Sequence, residues 1–512
     1  MKYRIKDYPE YREQVNAMSV DELLLAVVCP NVWKGREAIR DTAGVFIHAA
    51  TTEDAAARAA EINEGRELPA VIVSDMEYGP GKMILGTTSF PSMRAAAEAG
   101  DEELAYQMGV IAAKDARAAG YHWTFGPVVD ILENHFNPIV NIRTPGEDAD
   151  TVIRYAGAYM RGLQDNGLAA TLKHFPGDGL CKFDQHLTTA INPQTREEWD
   201  ETFGKVYSEL IEQGAKSVMI GHIALPSYDE IDEQTGLYPP ATVSRNLMTG
   251  LLKEKLGFEG IIVSDAVNMG GIANYTYLYD GLARFLEAGG DCLLFVRDLD
   301  EYKVEMKKCI DAGVLTLEAL RDRAYRMTCF RREIIDEASA PFTPVVREEA
   351  EKVAQEMAEK CVKLVRDRKG ILPFKPTKET KVAHVVLHNN SVKDFTCTDD
   401  LSRRIGERCT VDTLVDPGPE RLRTIACESE YDLIICSVLT SPDYATNAVH
   451  LSGAMARNMC WGWMKYPTPT VFLSYYSPYF CEEYEAATDA IINTYGYNNY
   501  TNNAVERILF GE

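Results

Sequence analysis

In residues 172–186, LKHFPGDGLCKFDQH, four of the ionisable groups flank a turn: Lys173 and His174 close an apolar run, and Asp184 and His186 follow Pro176, Gly177 and Gly179. Lysine and histidine at a strand end can both donate hydrogen bonds to hydroxyls. An aspartate two residues from a histidine can fix the ring's tautomer and stabilise its protonated form, which is the composition of a proton-transferring pair. In a second stretch, GFEGIIVSDAVNMGG, Asp265 ends another apolar run. A carboxylate there is costly to bury without a partner or a task. The competing readings are a solvated glycine-rich loop for the first stretch and a helix N-cap for Asp265.

Three further groups belong in the same inventory. VIVSDMEYGPG sets Asp75 and Glu77 before a Gly-Pro-Gly turn, which ordinary turn chemistry also explains. Arg143, in NPIVNIRTPGEDAD, suits a bidentate grip on paired oxygens or a surface ion pair with Glu147 or Asp148. His222, in SVMIGHIALPSYD, fits either a ligand contact or a histidine satisfied near the core.

These groups need elements to hold them. From about residue 40 to 300, short apolar runs begin at Gly44, Pro69, Trp123, Leu168, Ala215, Gly260 and Asp291, and they alternate with amphipathic segments such as ADTVIRYAGAYMRGLQDNG. That alternation predicts an α/β fold with a parallel sheet, specifically a (β/α) TIM-like barrel. A barrel puts its site at the carboxyl ends of its strands, where Asp75, His174, His222 and Asp265 all fall. Beyond Pro341 and Pro344 the pattern restarts at KVAHVVLH, CTVDTLV, YDLIICSVL, PTVFLSYY and AIINTYGY, predicting a smaller open α/β sandwich of about five strands. The expected division is a barrel over 1–335, a linker and connecting helix over 336–370, and the second domain over 371–512. No G-x-G-x-x-G turn follows its first strand, so nothing supports dinucleotide binding.

Composition removes several function classes. A chain of 512 residues, 46% hydrophobic and 25% charged, has the make-up of an ordinary globular protein with room for two cores. A net charge of -24 repels phosphate backbones and anionic lipid, so neither nucleic acid nor membrane is an expected partner. The N-terminus carries no signal-peptide core, and the 12 cysteines form no C-x-x-C pair, which predicts a cytoplasmic protein with buried thiols. No H-x-H ligand set stands at a strand end, so neither a metal nor a cofactor is expected.

Taken together, the motifs resemble glycoside hydrolase family three, and within it the bacterial β-N-acetylglucosaminidases, along nearly the whole chain. KHFPGDGLCKFDQH is similar to that subgroup's K-H-F-P-G-[HD]-G signature and its D-x-H dyad, and GFEGIIVSDAVNM to the family's nucleophile strand. VSDMEYGPG resembles a D-x-E-G-G turn, with Tyr78 and Pro80 departing from it. The resemblance implies that Asp265 is the nucleophile, that His186 supported by Asp184 is the acid/base, and that Asp75, Arg143, Lys173 and His174 are candidates for holding the sugar hydroxyls; His222 and Met269 are further candidate substrate contacts. It implies a retaining exo-glycosidase acting on a small glycoside or oligosaccharide ending in β-linked N-acetylglucosamine, with no catalytic group from the second domain. A β-glucosidase or β-xylosidase, a β-N-acetylglucosaminide phosphorylase and a non-catalytic sugar-binding protein are the alternatives.

Overall fold

The computed structural model describes residues 1–32, 41–389, 392–428, 430–442, 444, 449–484 and 486–511. The chain divides into two compact units. Unit 1 comprises Met1–Ser89, Ala105–Asn134 and Gly146–Ala350; unit 2 comprises Phe90–Leu104, His135–Pro145 and Glu351–Glu512.

Unit 1 is built on parallel strands: β1 (Val28–Cys29), β2 (Asn31–Val32), β3 (Gly44–Ile47), β4 (Val71–Ser74), β5 (Trp123–Thr124), β6 (Thr171–Phe175), β7 (Ser217–Ile220), β8 (Ile261–Ala266) and β9 (Cys292–Leu294). They form a sheet of order β1-β9-β8-β7-β6 and another of order β2-β3-β4-β5. Thr124 N–H donates to Ala169 O at 2.9 Å and Ala169 N–H to His122 O at 3.1 Å, so β5 meets the approach to β6. Only Pro30 separates β1 from β2, and its carbonyl accepts from Phe46 N–H at 2.8 Å.

All seven expected runs contain a strand, with two differences. β1 and β2 lie upstream of the region where strands were expected, because two-residue pieces broken by a proline carry no readable period. The run expected from Trp123 through Asp130 pairs as a strand only over Trp123–Thr124. Pro127 has no N–H to give a ladder, and the chain beyond it is buried but irregular.

Strand parity orients the polar ends. Val71 and Val73 of β4 and Ile261 and Val263 of β8 pack in one buried cluster with Phe46, Trp123, Phe125 and Met219. Alternate side chains share a face, so Asp75 and Asp265 continue the inward rows of β4 and β8. The helices around them are fitted closely. Asp148 caps the helix Ala149–Gln164 by accepting from Thr151 N–H at 2.9 Å. A Cβ on Gly109 would lie 2.5 Å from Tyr159 O, so only glycine lets these backbones approach.

Unit 2 holds six strands where five were expected: β10 (Lys363–Asp367), β11 (Lys381–His388), β12 (Thr410–Val415), β13 (Leu433–Thr440), β14 (Thr470–Tyr476) and β15 (Ala490–Asn493), in the order β10-β15-β14-β13-β11-β12. The extra strand, β10, runs antiparallel to β15 at the sheet edge. Its sequence KLVRD is short and largely exposed, and it directly follows a charged helix, which hides its period. β13 is buried along its whole length, as a central parallel strand should be. The cysteines depart from the expectation of uniformly buried thiols, since Cys427 and Cys460 are exposed; the Cys481 side chain lies outside the described residues. Among the described residues, no helix is long and apolar enough to cross a membrane.

Candidate active site

Four basic side chains and their acceptors surround the carboxyl ends of β4, β6, β7 and β8. Lys173 Nζ, almost fully buried, lies 2.9 Å from Asp75 Oδ1 and 2.7 Å from Glu77 Oε1. His174 Nδ1 lies 2.7 Å from Asp130 Oδ2, and both side chains are buried. In the loop beyond β6, His186 Nδ1 lies 2.6 Å from Asp184 Oδ1; the aspartate is buried, whereas the histidine keeps 26% of its side chain exposed. Lys173, His174 and His186 therefore each have a carboxylate other than Asp265, whereas the fourth base, His222, is held by a hydroxyl and a backbone carbonyl.

Asp265 sits within β8 and caps no helix. Its Oδ1 accepts from Ala266 N–H at 2.7 Å. Burial alone would drive this carboxyl up, but the charges of His174, His222 and His186, with that hydrogen bond, outweigh burial and hold it below the ordinary carboxylate range. It is thus ionised at neutral pH, faced by imidazoles.

His222 is wholly buried, with Nδ1 2.7 Å from Thr242 Oγ1 and Nε2 3.1 Å from Ala266 O. Both ring nitrogens are engaged by protein, and burial, ahead of the opposing charge of Asp265, pulls its imidazole down. Met269 is buried one turn after β8, its N–H donating to Ala266 O. Arg143 belongs to unit 2, in the 3₁₀ turn Asn141–Arg143, and its Nη1 donates to Ile139 O at 3.1 Å.

The loop that carries Asp184 and His186 is pinned rather than loose. Gly270 N–H donates to His186 O at 2.8 Å, Gly271 N–H to Gln185 O at 3.1 Å, and Gln185 Oε1 accepts from His222 N–H at 3.0 Å. A Cβ on Gly271 would meet Gln185 O at 2.5 Å and His222 Cβ at 2.6 Å. The Gly270–Gly271 pair after β8 thus lets the Asp-His loop dock beside Asp265.

Two groups of the site carry no assignment from the sequence, Asp130 and His48, whose imidazole burial pushes down against the pull of Asp75; Glu77, visible beside Asp75, gains its role only from its contact with Lys173. For Asp130 a signal existed, since a lone carboxylate inside the apolar run from Val128 to Leu132 needs a buried partner.

Perturbed charge also occurs away from this cluster. A cavity of about 1180 Å³ is lined by Arg245, Lys253, Arg323 and Arg326 together with Glu287 and Asp322. Behind it, Asp291 is wholly buried; burial is outweighed by Arg326, Lys253 and Arg323, which hold its carboxyl down to about 2. Arg326 Nε lies 2.9 Å from it, a structural ion pair whose cation cannot give up its proton in water.

The chain as a whole has counterparts among known proteins. Residues 39–329 match the family model described as the glycosyl hydrolase family 3 N terminal domain. A Cellulomonas fimi protein named beta-N-acetylglucosaminidase/beta-glucosidase is 31% identical over 477 residues, covering 88% of this chain and 83% of that one. A Nitrosomonas eutropha beta-hexosaminidase is 30% identical over 248 residues, covering 47% of this chain and 69% of its own length. Among solved structures, a beta-glucoside phosphorylase, BglX, superposes with a TM-score of 0.89 at 26% identity, covering 100% of this chain and 95% of that one. A β-N-acetylglucosaminidase from Paenibacillus sp. str. FPU-7 shares the fold, with a TM-score of 0.83 at 24% identity and 97% of both chains covered. With more than half the sequence inside the family model and a relative matched along most of both lengths, the chain belongs to glycoside hydrolase family 3 and is a glycoside hydrolase.

Proposed function

We propose that the chain removes terminal β-linked N-acetylglucosamine by a two-step, retaining mechanism. Asp265 attacks the anomeric carbon to form a glycosyl-enzyme, while His186 protonates the leaving oxygen and then takes a proton from the incoming acceptor. Asp184 orients the imidazole and stabilises the imidazolium formed in transit. Lys173, His174 and Asp75 hold sugar hydroxyls, and Arg143 is a further candidate for that role. His222 and Met269 shape the pocket around Asp265. The observation that carries this reading is the Asp184–His186 pair, docked by Gly270 and Gly271 beside an ionised Asp265, because both halves of the chemistry then come from one unit. The proton relay accounts for roughly 10² to 10⁴ in rate.

The fold supports the same placement. The two parallel sheets of unit 1, with hydrogen bonds from β5 toward β6 and only Pro30 between β1 and β2, are read as one (β/α) barrel whose carboxyl end bears the site.

A second reading concerns the acceptor. A neutral histidine base, unlike a glutamate, does not repel an anion in the second step, so phosphate can replace water. The likeness to BglX at 26% identity over the whole chain favours considering it. The test is to supply p-nitrophenyl β-N-acetylglucosaminide and the matching glucoside, with and without inorganic phosphate, and to identify the sugar product. Faster turnover of the N-acetylglucosaminide is expected, with either the free sugar or its 1-phosphate as product. Cleavage of the glucoside alone would defeat the substrate assignment.

A further inference from the structure

We propose that Asp130 is a positioning residue for the reaction, holding His174 in the one tautomer and ring orientation that present its Nε2 to the substrate. The inference deepens the proposed chemistry, and its kinetic arm rests on it. Asp130 is wholly buried and lies in irregular backbone after β5, within a run whose other members are apolar. Its two oxygens are divided between tasks. Oδ2 lies 2.7 Å from His174 Nδ1, whereas Oδ1 accepts from His174 N–H at 3.1 Å and from Asp178 N–H at 2.8 Å. One carboxylate therefore grips the ring, the backbone of the same residue and the start of the loop that leads to Asp184.

An ionised carboxylate can only accept, so the proton between Asp130 and His174 belongs to Nδ1. Among the described residues, Nε2 of His174 has no hydrogen-bond partner in the protein. It is the ring atom left for a ligand, on a side chain whose charge reaches Asp265. Without Asp130 the ring could rotate about its bond to Cβ or take the other tautomer. A misplacement of about 1 Å can cost on the order of 10²-fold in rate. Packing alone does not account for the arrangement, because a valine or leucine would fill the same apolar run without desolvating a charge.

The test has two independent arms. In the wild-type protein, ¹⁵N shifts of the His174 ring, assigned by its loss in His174→Gln, are expected to show Nδ1 protonated throughout the pH range in which the enzyme works. An unprotonated Nδ1 would overturn the proposal whatever the enzyme's substrate proves to be. In kinetics, Asp130→Asn should lower kcat by roughly 10- to 100-fold, shift the pH profile of kcat, and cause no further loss in a His174→Gln background. A loss of equal size in both backgrounds marks a purely structural role and rejects the proposal. Because the tautomer is read in the wild-type protein, the outcome does not depend on the Asp130 variant folding.

Discussion

His174 in unit 1 and His384 in unit 2 are both buried on strands whose sheet neighbours run parallel to them, but their partners differ in kind. His174 has the Asp130 carboxylate at 2.7 Å, whereas His384 lies between the hydroxyls of Ser402 and Ser437 at 2.6 and 2.8 Å. Among the described residues no charge faces His384, and burial pushes its imidazole down to about 4, so it is a neutral core group. Carboxylates divide in the same way. Asp265 is held ionised by imidazoles, and Asp291 by Arg326, Lys253 and Arg323. A depressed carboxyl or a buried histidine therefore does not by itself mark an active site; a partner that can exchange a proton does.

The contrast is tested most severely at His186. Replacing it with alanine should lower kcat/KM by roughly 10² to 10⁴ for a glycoside with a poor leaving group. A dinitrophenyl glycoside, whose departure needs no proton, should lose far less in the first step. Equal losses on both substrates would remove His186 from the acid role. Arg326→Met probes the fixed-charge side. It leaves Asp291 buried without its nearest cation and is expected to cost about 3 kcal/mol in urea unfolding, while kcat of the folded enzyme stays near wild type.

His384 gives the smallest effect, and its sign follows from linkage. Its folded pKa, about 4, lies below the ordinary imidazole value of about 6.5, so the unfolded chain binds the extra proton first as pH falls. Stability should therefore be intact above about 6.5 and decline by about 1 kcal/mol per pH unit between there and about 4. His384→Gln should flatten that slope without changing activity at neutral pH. An unchanged slope would assign the acid sensitivity to other groups.

Much of the candidate site was legible because strand ends announce themselves. Asp75 and Asp265 each close a β-branched run, and their parity with Val73 and Val263 turns them inward. Asp184 and His186 were visible through spacing alone. Asp130 was hidden inside a stretch that looked like strand but whose ladder stops at Thr124, so its burial arises from tertiary packing, to which a period-two pattern is blind. The same limit applies to residues 135–145. They follow β5 in sequence and cluster with unit 2, where His135 stacks on Tyr479 at 3.9 Å and Asn141 Nδ2 donates to Ser477 Oγ. Such partners, more than 300 positions away, leave no local trace. β10 escaped for a simpler reason, being five residues with charged ends beside a helix.

The proposed mechanism turns on Asp265 as the residue whose carboxylate bonds to the sugar. The direct measurement is intact mass and peptide mapping after incubation with a 5-fluoro N-acetylglucosaminyl donor, which slows breakdown of the intermediate. The expected result is one added glycosyl mass per chain, localised to Asp265 and missing from Asp265→Asn. Turnover of the donor with no accumulated adduct, or an adduct on another residue, would contradict the account.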